Sequence, residues 1–445
     1  KSTITIYRIT LPYYYIKLIC VYILEEEGIF IKGEDLTITS NQLIKVLNKT
    51  INSIDGRFIE HGNRVSYIIF NLLKVSGKYT DEEILKICVI SIFHDIGAYK
   101  VTERDKLLNA DMESPVNHAV YGALFIKNFS PLAEYYDVVL SHHFTMDYYR
   151  KRNMEVLSYE GLMLSFADYL DRLTLNNIKI DYNKIKKYYL KEHFELFKKA
   201  DEKYNFLSKL SDGTYINELD DFFKNRFINE EKVMSYSKMI SYAIDFRSEA
   251  TVIHTITVEA ISEQLARLCK LSEERISLIK ICAILHDIGK IAIPVEILEK
   301  PGKLTEEEFE IMKKHSQIGY DILSELSMSE IRDIATLHHE KLDGSGYPFG
   351  LKEEKITKEM RIVSIGDIIS ALIGSRSYKQ SFSKTKIVCI LTEMVENNKI
   401  DRNIVDLFIH NYDYIIDEAM KQCRDTMDKY LNIKNQYREL IEIYT

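Results

Sequence analysis

Ten of the twelve histidines fall into two series with the same order and the same neighbours. The first runs His61, His94-Asp95, His118, His142-His143, then Asp168. The second runs His254, His286-Asp287, His315, His338-His339, then Asp367. Matching members lie about 195 positions apart, the mark of a duplicated unit. The surrounding sequence agrees: SIFHDIGAYK answers AILHDIGKIA, and VLSHHFTMD answers TLHHEKLDG. A duplication of this kind restricts the chain to two similar domains in tandem. They are expected at residues 1–190 and 237–445, with a helical linker at 191–236.

Hydrophobic spacing assigns both units to one fold class. His254, Val258, Ile261, Leu265 and Leu268 form a stripe at helical spacing, and Ile276, Ile279, Ala283 and His286 form another after a start at Ser272. Thr80 with Glu83, and Thr305 with Glu308, have the spacing of capping boxes. From Thr305 the stripe Phe309, Met312, His315, Gly319, Ile322 is expected to face inward. Only 6 prolines and 17 glycines interrupt 445 residues, and the one strand-like stretch is STITIYRIT near the start. The expected class is all-α, as two helical bundles.

Charge and cysteine usage narrow the setting. A net charge of −8 argues against coating DNA or RNA polymers, without excluding a local basic pocket. Six scattered cysteines with no CxxC pair fit a reducing, cytoplasmic compartment. The most apolar run, ITLPYYYIKLICVYIL, is broken by Pro12 and Lys17 and is shorter than a bilayer requires, so no membrane span is expected. The chain begins at Lys1 rather than Met, a start compatible with an upstream sensor or anchor.

A single histidine on an apolar helix face is ordinarily a satisfied core residue. Five histidines and two aspartates gathered on inward faces are different, because uncoordinated they would be a costly set of buried polar groups. Imidazole and carboxylate together suit Mn, Fe, Zn or Ni. Seven ligands exceed one tetrahedral site, so two metals are the expected count. Two metals about 3.5–4 Å apart can clamp a phosphate and activate a water, which points to phosphate-ester hydrolysis. Lys290, four residues after His286, could set a cation against a phosphate oxygen. In HHEKLDGSGYP the glycines allow a tight backbone path, Pro348 stiffens the exit, and Tyr347 offers a face for a base.

With HDIGK at 286–290, IPVEILEKPGKLTEEEFEIMKKHSQIG at 293–319, HHEKLDGSGYP at 338–348 and RIVSIGDIISALIGSRSYK at 361–379, residues of about 237–420 resemble the HD-GYP family of bacterial cyclic-dinucleotide phosphodiesterases. The resemblance implies an HD-superfamily helical fold and a metal-dependent hydrolase. Its substrate would be cyclic di-GMP or 3'3'-cyclic GMP-AMP, opened to linear dinucleotide or mononucleotide products. It implies metal ligation by His254, His286, Asp287, His315, His338, His339 and Asp367, with Asp287 and Lys290 catalytic. Substrate contacts are implied for Lys290, Tyr347, Arg376 and Lys379. Iron or manganese is the implied metal. Family members with a third metal carry a glutamate four residues before the first histidine; Ala250 stands there, so two metals are expected rather than three. Thr257 stands where arginine is usual, Ser370 replaces an acid three residues after the last ligand, and Ser377 replaces a proline. These departures bear on base preference. A homodimer is a further expectation.

The first unit resembles an HD domain without the GYP signature. It keeps His61, His94, Asp95, His118, His142, His143 and Asp168 as a candidate second metal site, but Ala98 replaces the lysine, and FTMDYYRKRN follows the paired histidines without a glycine. Three roles stay open for it: an inactive regulatory or dimerising domain, a metal-binding domain without cyclic-dinucleotide turnover, and a phosphohydrolase with another substrate. For the chain as a whole, the alternatives are a hydrolase of ordinary nucleotides and a non-catalytic cyclic-dinucleotide sensor.

Overall fold

The computed structural model of the chain describes residues 38–39, 42, 45–46, 49–50, 56–99, 116–175, 181–224, 227–228, 230–245, 249–298, 300, 302–326, 328–374 and 382–445. The strand-like STITIYRIT and the apolar N-terminal run lie outside the described residues, as do Arg376, Ser377 and Lys379.

The described residues are helical, as expected, and repeat one arrangement twice. The first unit holds α1 (Gly56–Ser76), α2 (Asp81–Ile92), α3 (Val116–Phe129), α4 (Tyr136–Ser141), α5 (Met146–Arg152) and α6 (Tyr159–Leu175). There follow α7 (Lys191–Tyr204), α8 (Phe206–Asp212), α9 (Tyr215–Phe223) and α10 (Glu230–Asp245). The second unit holds α11 (Glu249–Leu268), α12 (Glu273–Leu285), α13 (Glu306–Leu323), α14 (Ser329–Thr336), α15 (Lys358–Ile373), α16 (Lys384–Glu396), α17 (Arg402–His410) and α18 (Tyr412–Tyr444). One antiparallel pair of two-residue strands, Ile38–Thr39 with Phe227–Ile228, is the only sheet among the described residues.

Local chemistry sets the helix starts. Thr80 and Thr305 each accept from the backbone of the third helical residue, Glu83 or Glu308, whose carboxylate returns to the cap N–H; both are capping boxes. Ser272 caps α12 by accepting from the Arg275 backbone N–H. The central helix of each unit is buried over most of its length. Residues 65–73 of α1 and 255–266 of α11 are enclosed, because α1 packs against α2, α6 and α7, and α11 against α12, α15 and α18. One stripe departs from expectation. His315, Gly319 and Ile322 face inward, but Met312 is half-buried and Phe309 is exposed, with Lys313 over its ring at 5.4 Å. The first turns of α13 project past the core, so helical spacing there continues beyond any surface to bury it.

The stretch read from the sequence as a linker is packed. Helices α7, α8 and α9 lie on α1, and the Tyr67 hydroxyl donates to Glu218 at 2.6 Å. Helix α10 contacts α3 as well as α11 and α12, and α18 contacts both α11 and α3. The two histidine-bearing units thus share two helices.

On α7, His193 is fully buried between Tyr159 and Phe166, with ring centroids at 4.9 and 6.0 Å, and neither ring nitrogen has a hydrogen-bond partner. Burial pushes its pKa down to about 4. The unfolded chain takes up this proton near pH 6.5, while the folded chain resists it until about 4. Stability therefore falls as the pH drops through that window, by about 2 kcal/mol at pH 5. His193→Phe should lose less stability than the native protein between pH 7.5 and pH 5. Equal losses in urea unfolding at the two pH values would refute the assignment.

Candidate metal centres

Each ligand-type side chain is delivered by the end or inner face of a helix. In the second unit His254 comes from α11, His315 from α13 and Asp367 from α15; His286-Asp287 and His338-His339 follow the ends of α12 and α14. The helix-end histidines are aimed by their own backbone. Nδ1 of His286 donates to the Ala283 carbonyl and Nδ1 of His338 to the Ala335 carbonyl, each at 2.7 Å. His315 does the same to Met312 within α13 at 2.7 Å. A carbonyl can only accept, so the proton sits on Nδ1 and the lone pair of Nε2 is left for the cluster.

The two oxygens of Asp287 face different groups. Oδ2 lies 3.0 Å from His286 Nε2 and 3.7 Å from His254 Nε2. Oδ1 lies 3.5 Å from His315 Nε2. His315, His338 and His339 form one grouping able to hold an ion, and His254, His286 and Asp287 form another. Asp367 closes the second side, 3.2 Å from His254 Nε2 and 3.8 Å from His339 Nδ1. Lys290 pairs with Asp287 Oδ2. All seven side chains singled out from the sequence as ligands in this unit are thus brought together.

The first unit repeats the plan. Asp95 Oδ1 lies 3.4 Å from His118 Nε2 and 3.4 Å from His142 Nε2, while Oδ2 lies 3.5 Å from His94 Nε2 and 4.0 Å from His61 Nε2. His143 Nε2 is 2.8 Å from His118 Nε2, and Asp168 is 3.1 Å from His61 Nε2. Arg172 pairs with Asp168 at 3.0 Å.

The donor set fits a transition metal. Asp287 Oδ1, His338 Nε2, Asp95 Oδ1, His94 Nε2 and His61 Nε2 are buried without a hydrogen-bond partner. Each such atom costs about 1–3 kcal/mol, which a cation would relieve. Electrostatics points the same way. Burial opposes ionisation of Asp287, but the charges of His286 and Lys290 outweigh it and hold the carboxyl well below the usual carboxylate range. Burial likewise opposes ionisation of Asp367, and His254 and His339 keep it low. Burial pushes His338 down to about 3, and it lowers His339, His254 and His315 as well. His286 is raised, because Asp287 beside it outweighs burial. Ionised carboxylates among mostly neutral imidazoles are the protonation state that ligation needs.

The GYP turn is folded back on the paired histidines. A side chain at Gly346 would meet the His339 carbonyl and the Glu340 Cα at 2.5 Å. Glu340, not singled out from the sequence, pins the turn: its carboxylate accepts from the Phe349 and Leu351 backbone N–H groups at 2.7 and 2.8 Å. Tyr347 lies over His339, ring centroids 4.7 Å apart. In the first unit this place is taken by α5, and Tyr148 on it stacks on Phe144 at 4.2 Å. The glycine of HDIG was also missed, although both copies carry it. A Cβ on Gly289 would sit 1.9 Å from the His315 carbonyl, and one on Gly97 would sit 2.0 Å from that of His118. This close approach sets the HD pair against the next histidine.

Comparison with known proteins agrees with the duplication. HD-domain sequence profiles match residues 58–173 and 238–404. The chain is 26% identical over 393 residues to 3'3'-cGAMP-specific phosphodiesterase 1 of Vibrio cholerae, covering 82% of this chain and 89% of that one. It is 41% identical over 157 residues to a cyclic di-GMP phosphodiesterase response regulator of Xanthomonas campestris, covering 35% of this chain and 42% of that one. A solved cyclic GMP-AMP phosphodiesterase of V. cholerae shares the fold with a TM-score of 0.54 at 18% identity, over 85% of this chain and 98% of that one.

Proposed function

Since the chain carries two HD domains in tandem and is homologous to the HD-GYP phosphodiesterases, we propose that it is a metal-dependent hydrolase that opens cyclic dinucleotides, cyclic di-GMP or 3'3'-cyclic GMP-AMP. We assign the reaction to the second domain, at 237–445. One observation carries the reading: Asp287 divides its oxygens between two histidine groups while Lys290 stands on one of them. Two ions, iron or manganese, would be held by His254, His286, Asp287, His315, His338, His339 and Asp367. Bound there, they would supply Lewis acidity and an activated water.

The chain's own groups do the rest. Asp287 holds the two halves of the site at a fixed spacing. Lys290, half-buried beside it, is placed to receive a phosphate oxygen and offset its charge. Glu340 fixes the turn that carries Tyr347, which would line the base pocket. The first domain, at 1–190, keeps the ligand set but has Ala98 and α5 in place of the lysine and the glycine turn. We assign it metal binding without cyclic-dinucleotide turnover. Among the described residues no helix is long and apolar enough to cross a membrane, in keeping with work on a cytoplasmic second messenger.

Arg376 and Lys379 are proposed to contact the substrate phosphates. Arg376→Ala should weaken cyclic-dinucleotide binding by about 1–3 kcal/mol, the cost of a lost charge-assisted hydrogen bond. Calorimetry at two salt concentrations with an unchanged isotherm would remove it from the site. The activity itself is tested by incubating reduced, Fe- or Mn-loaded protein with a panel of cyclic dinucleotides and separating the products by chromatography. Formation of linear dinucleotide supports the reading. Full metal loading with every cyclic dinucleotide left intact favours the sensor instead.

A further inference from the structure

The two clusters differ behind one ligand. His61 and His254 occupy matching places, and each has its Nδ1 held by the residue three positions after the closing aspartate. In the first domain that residue is Asp171, fully buried, with Oδ2 2.7 Å from His61 Nδ1. Arg64, three positions after His61, grips the same carboxylate through Nε at 2.6 Å and Nη2 at 3.0 Å. In the second domain the pair is Ser370 and Thr257. Ser370 Oγ lies 2.9 Å from His254 Nδ1 and donates to the His254 carbonyl at 3.2 Å. A hydroxyl has one proton. Given to that carbonyl, it leaves Oγ only the acceptor role toward Nδ1–H. Thr257 is turned away, donating to the Ile253 carbonyl at 2.6 Å and touching Cys423 Sγ at 3.3 Å.

Both arrangements therefore aim Nε2 into the cluster, but with different strength behind it. A carboxylate accepting from the back of an imidazole raises its power as a ligand; a neutral hydroxyl does so far less. Such outer partners are worth about 10–100-fold in metal affinity. Arg64 adds a second donor to the same buried carboxylate and fixes its orientation behind the ring.

We propose that Asp171 with Arg64, and Ser370 with Thr257, are positioning residues that set the metal affinities of the two clusters apart. The His61 end of the first domain holds its ion tightly, and the His254 end of the second exchanges its ion. A loosely held ion at the working site would let cellular metal supply govern hydrolysis, while the first domain stays loaded.

This rests on the reading that both clusters bind metal, and the experiment separates the two. The 445-residue chain is dialysed at pH 8 against a graded series of buffered free Mn, and bound metal per chain is measured by mass spectrometry. The native protein should load in two stages. The double variant T257R/S370D should move the weaker stage to about 10-fold lower free Mn and leave the tighter one in place. The reciprocal R64T/D171S should move the tighter stage to about 10-fold higher free Mn. Ser370→Ala, which keeps the backbone and removes only the hydroxyl, should weaken the later stage further. A merely structural role would not let a graft tighten binding. Should the first graft fold poorly by circular dichroism, the reciprocal and Ser370→Ala still decide. Loading in a single stage, or two stages that no variant moves, overturns the inference while metal binding stands. No metal at saturating Mn would instead overturn the reading beneath it.

Discussion

Asp287→Ala should empty the second cluster of metal and abolish cyclic-dinucleotide hydrolysis. The side chain has an oxygen toward each histidine grouping, Oδ2 toward His254 and His286 and Oδ1 toward His315. The one other carboxylate that faces both, Asp367, lies toward His254 and His339 without touching His286. Asp287 is also the anion that pairs with Lys290. Its removal leaves the half-buried Lys290 ammonium without its anion beside the imidazoles, which repels cations from the site. Losing a single donor to a developing charge already costs about 10²–10³ in rate, and the bridging ligand should cost at least about 10³-fold. Asp287→Asn sharpens the test, since the amide keeps the volume and loses the charge. Metal content by mass spectrometry and turnover by chromatography should fall together in both variants. Full occupancy with normal turnover would reject the bridging role.

His286→Ala and His94→Ala should part company, although the residues occupy matching places at the ends of α12 and α2. Each donates Nδ1–H to the carbonyl three residues back, Ala283 or Ser91, at 2.7 Å. The local geometry is the same; the surroundings are not. Around His286 stand Lys290 and the glycine turn, and around His94 stand Ala98 and α5. A metal-activated water is useful only when phosphorus is held in line with it, and only the second domain has the parts to hold it. His286→Ala should drop hydrolysis to background. His94→Ala should retain it, with losses confined to stability, metal content of the first cluster or regulation. Both variants are compared at equal metal loading, with folding checked by circular dichroism. A folded His94→Ala without activity beside an active His286→Ala would move the working site to the first domain.

Much of the site was legible before any coordinates. The duplication and the fourteen side chains of the two clusters were legible in the repeated order of histidines and aspartates, and their role as ligands came with the family resemblance. The helical class follows from spacing, because residues three or four apart share a helix face whatever the helix packs against. Caps at Thr80, Ser272 and Thr305 are equally local, since the partner of each lies three residues away. The GYP turn announced itself through its glycines, though not through Glu340, whose grip on Phe349 and Leu351 needs the loop to be closed first.

What only the tertiary structure decided depends on helices that meet across long stretches of chain. Helical spacing turned His254 toward a core, but the 116-residue separation from Ser370 hides the hydroxyl behind it. Thr257 and Ser370 read in the sequence as two separate departures; the Arg64–Asp171 pair reveals them as one position, seen from two helices. The split of Asp287 between two histidine groups likewise exists only where α11, α12 and α13 converge. Nor could periodicity foresee that α7 to α9 pack on α1, or that Phe309 lies past the edge of the core. A hydrophobic stripe states which face of a helix seeks cover; the crossing of helices in three dimensions determines how far that cover extends and which side chain stands behind each ligand.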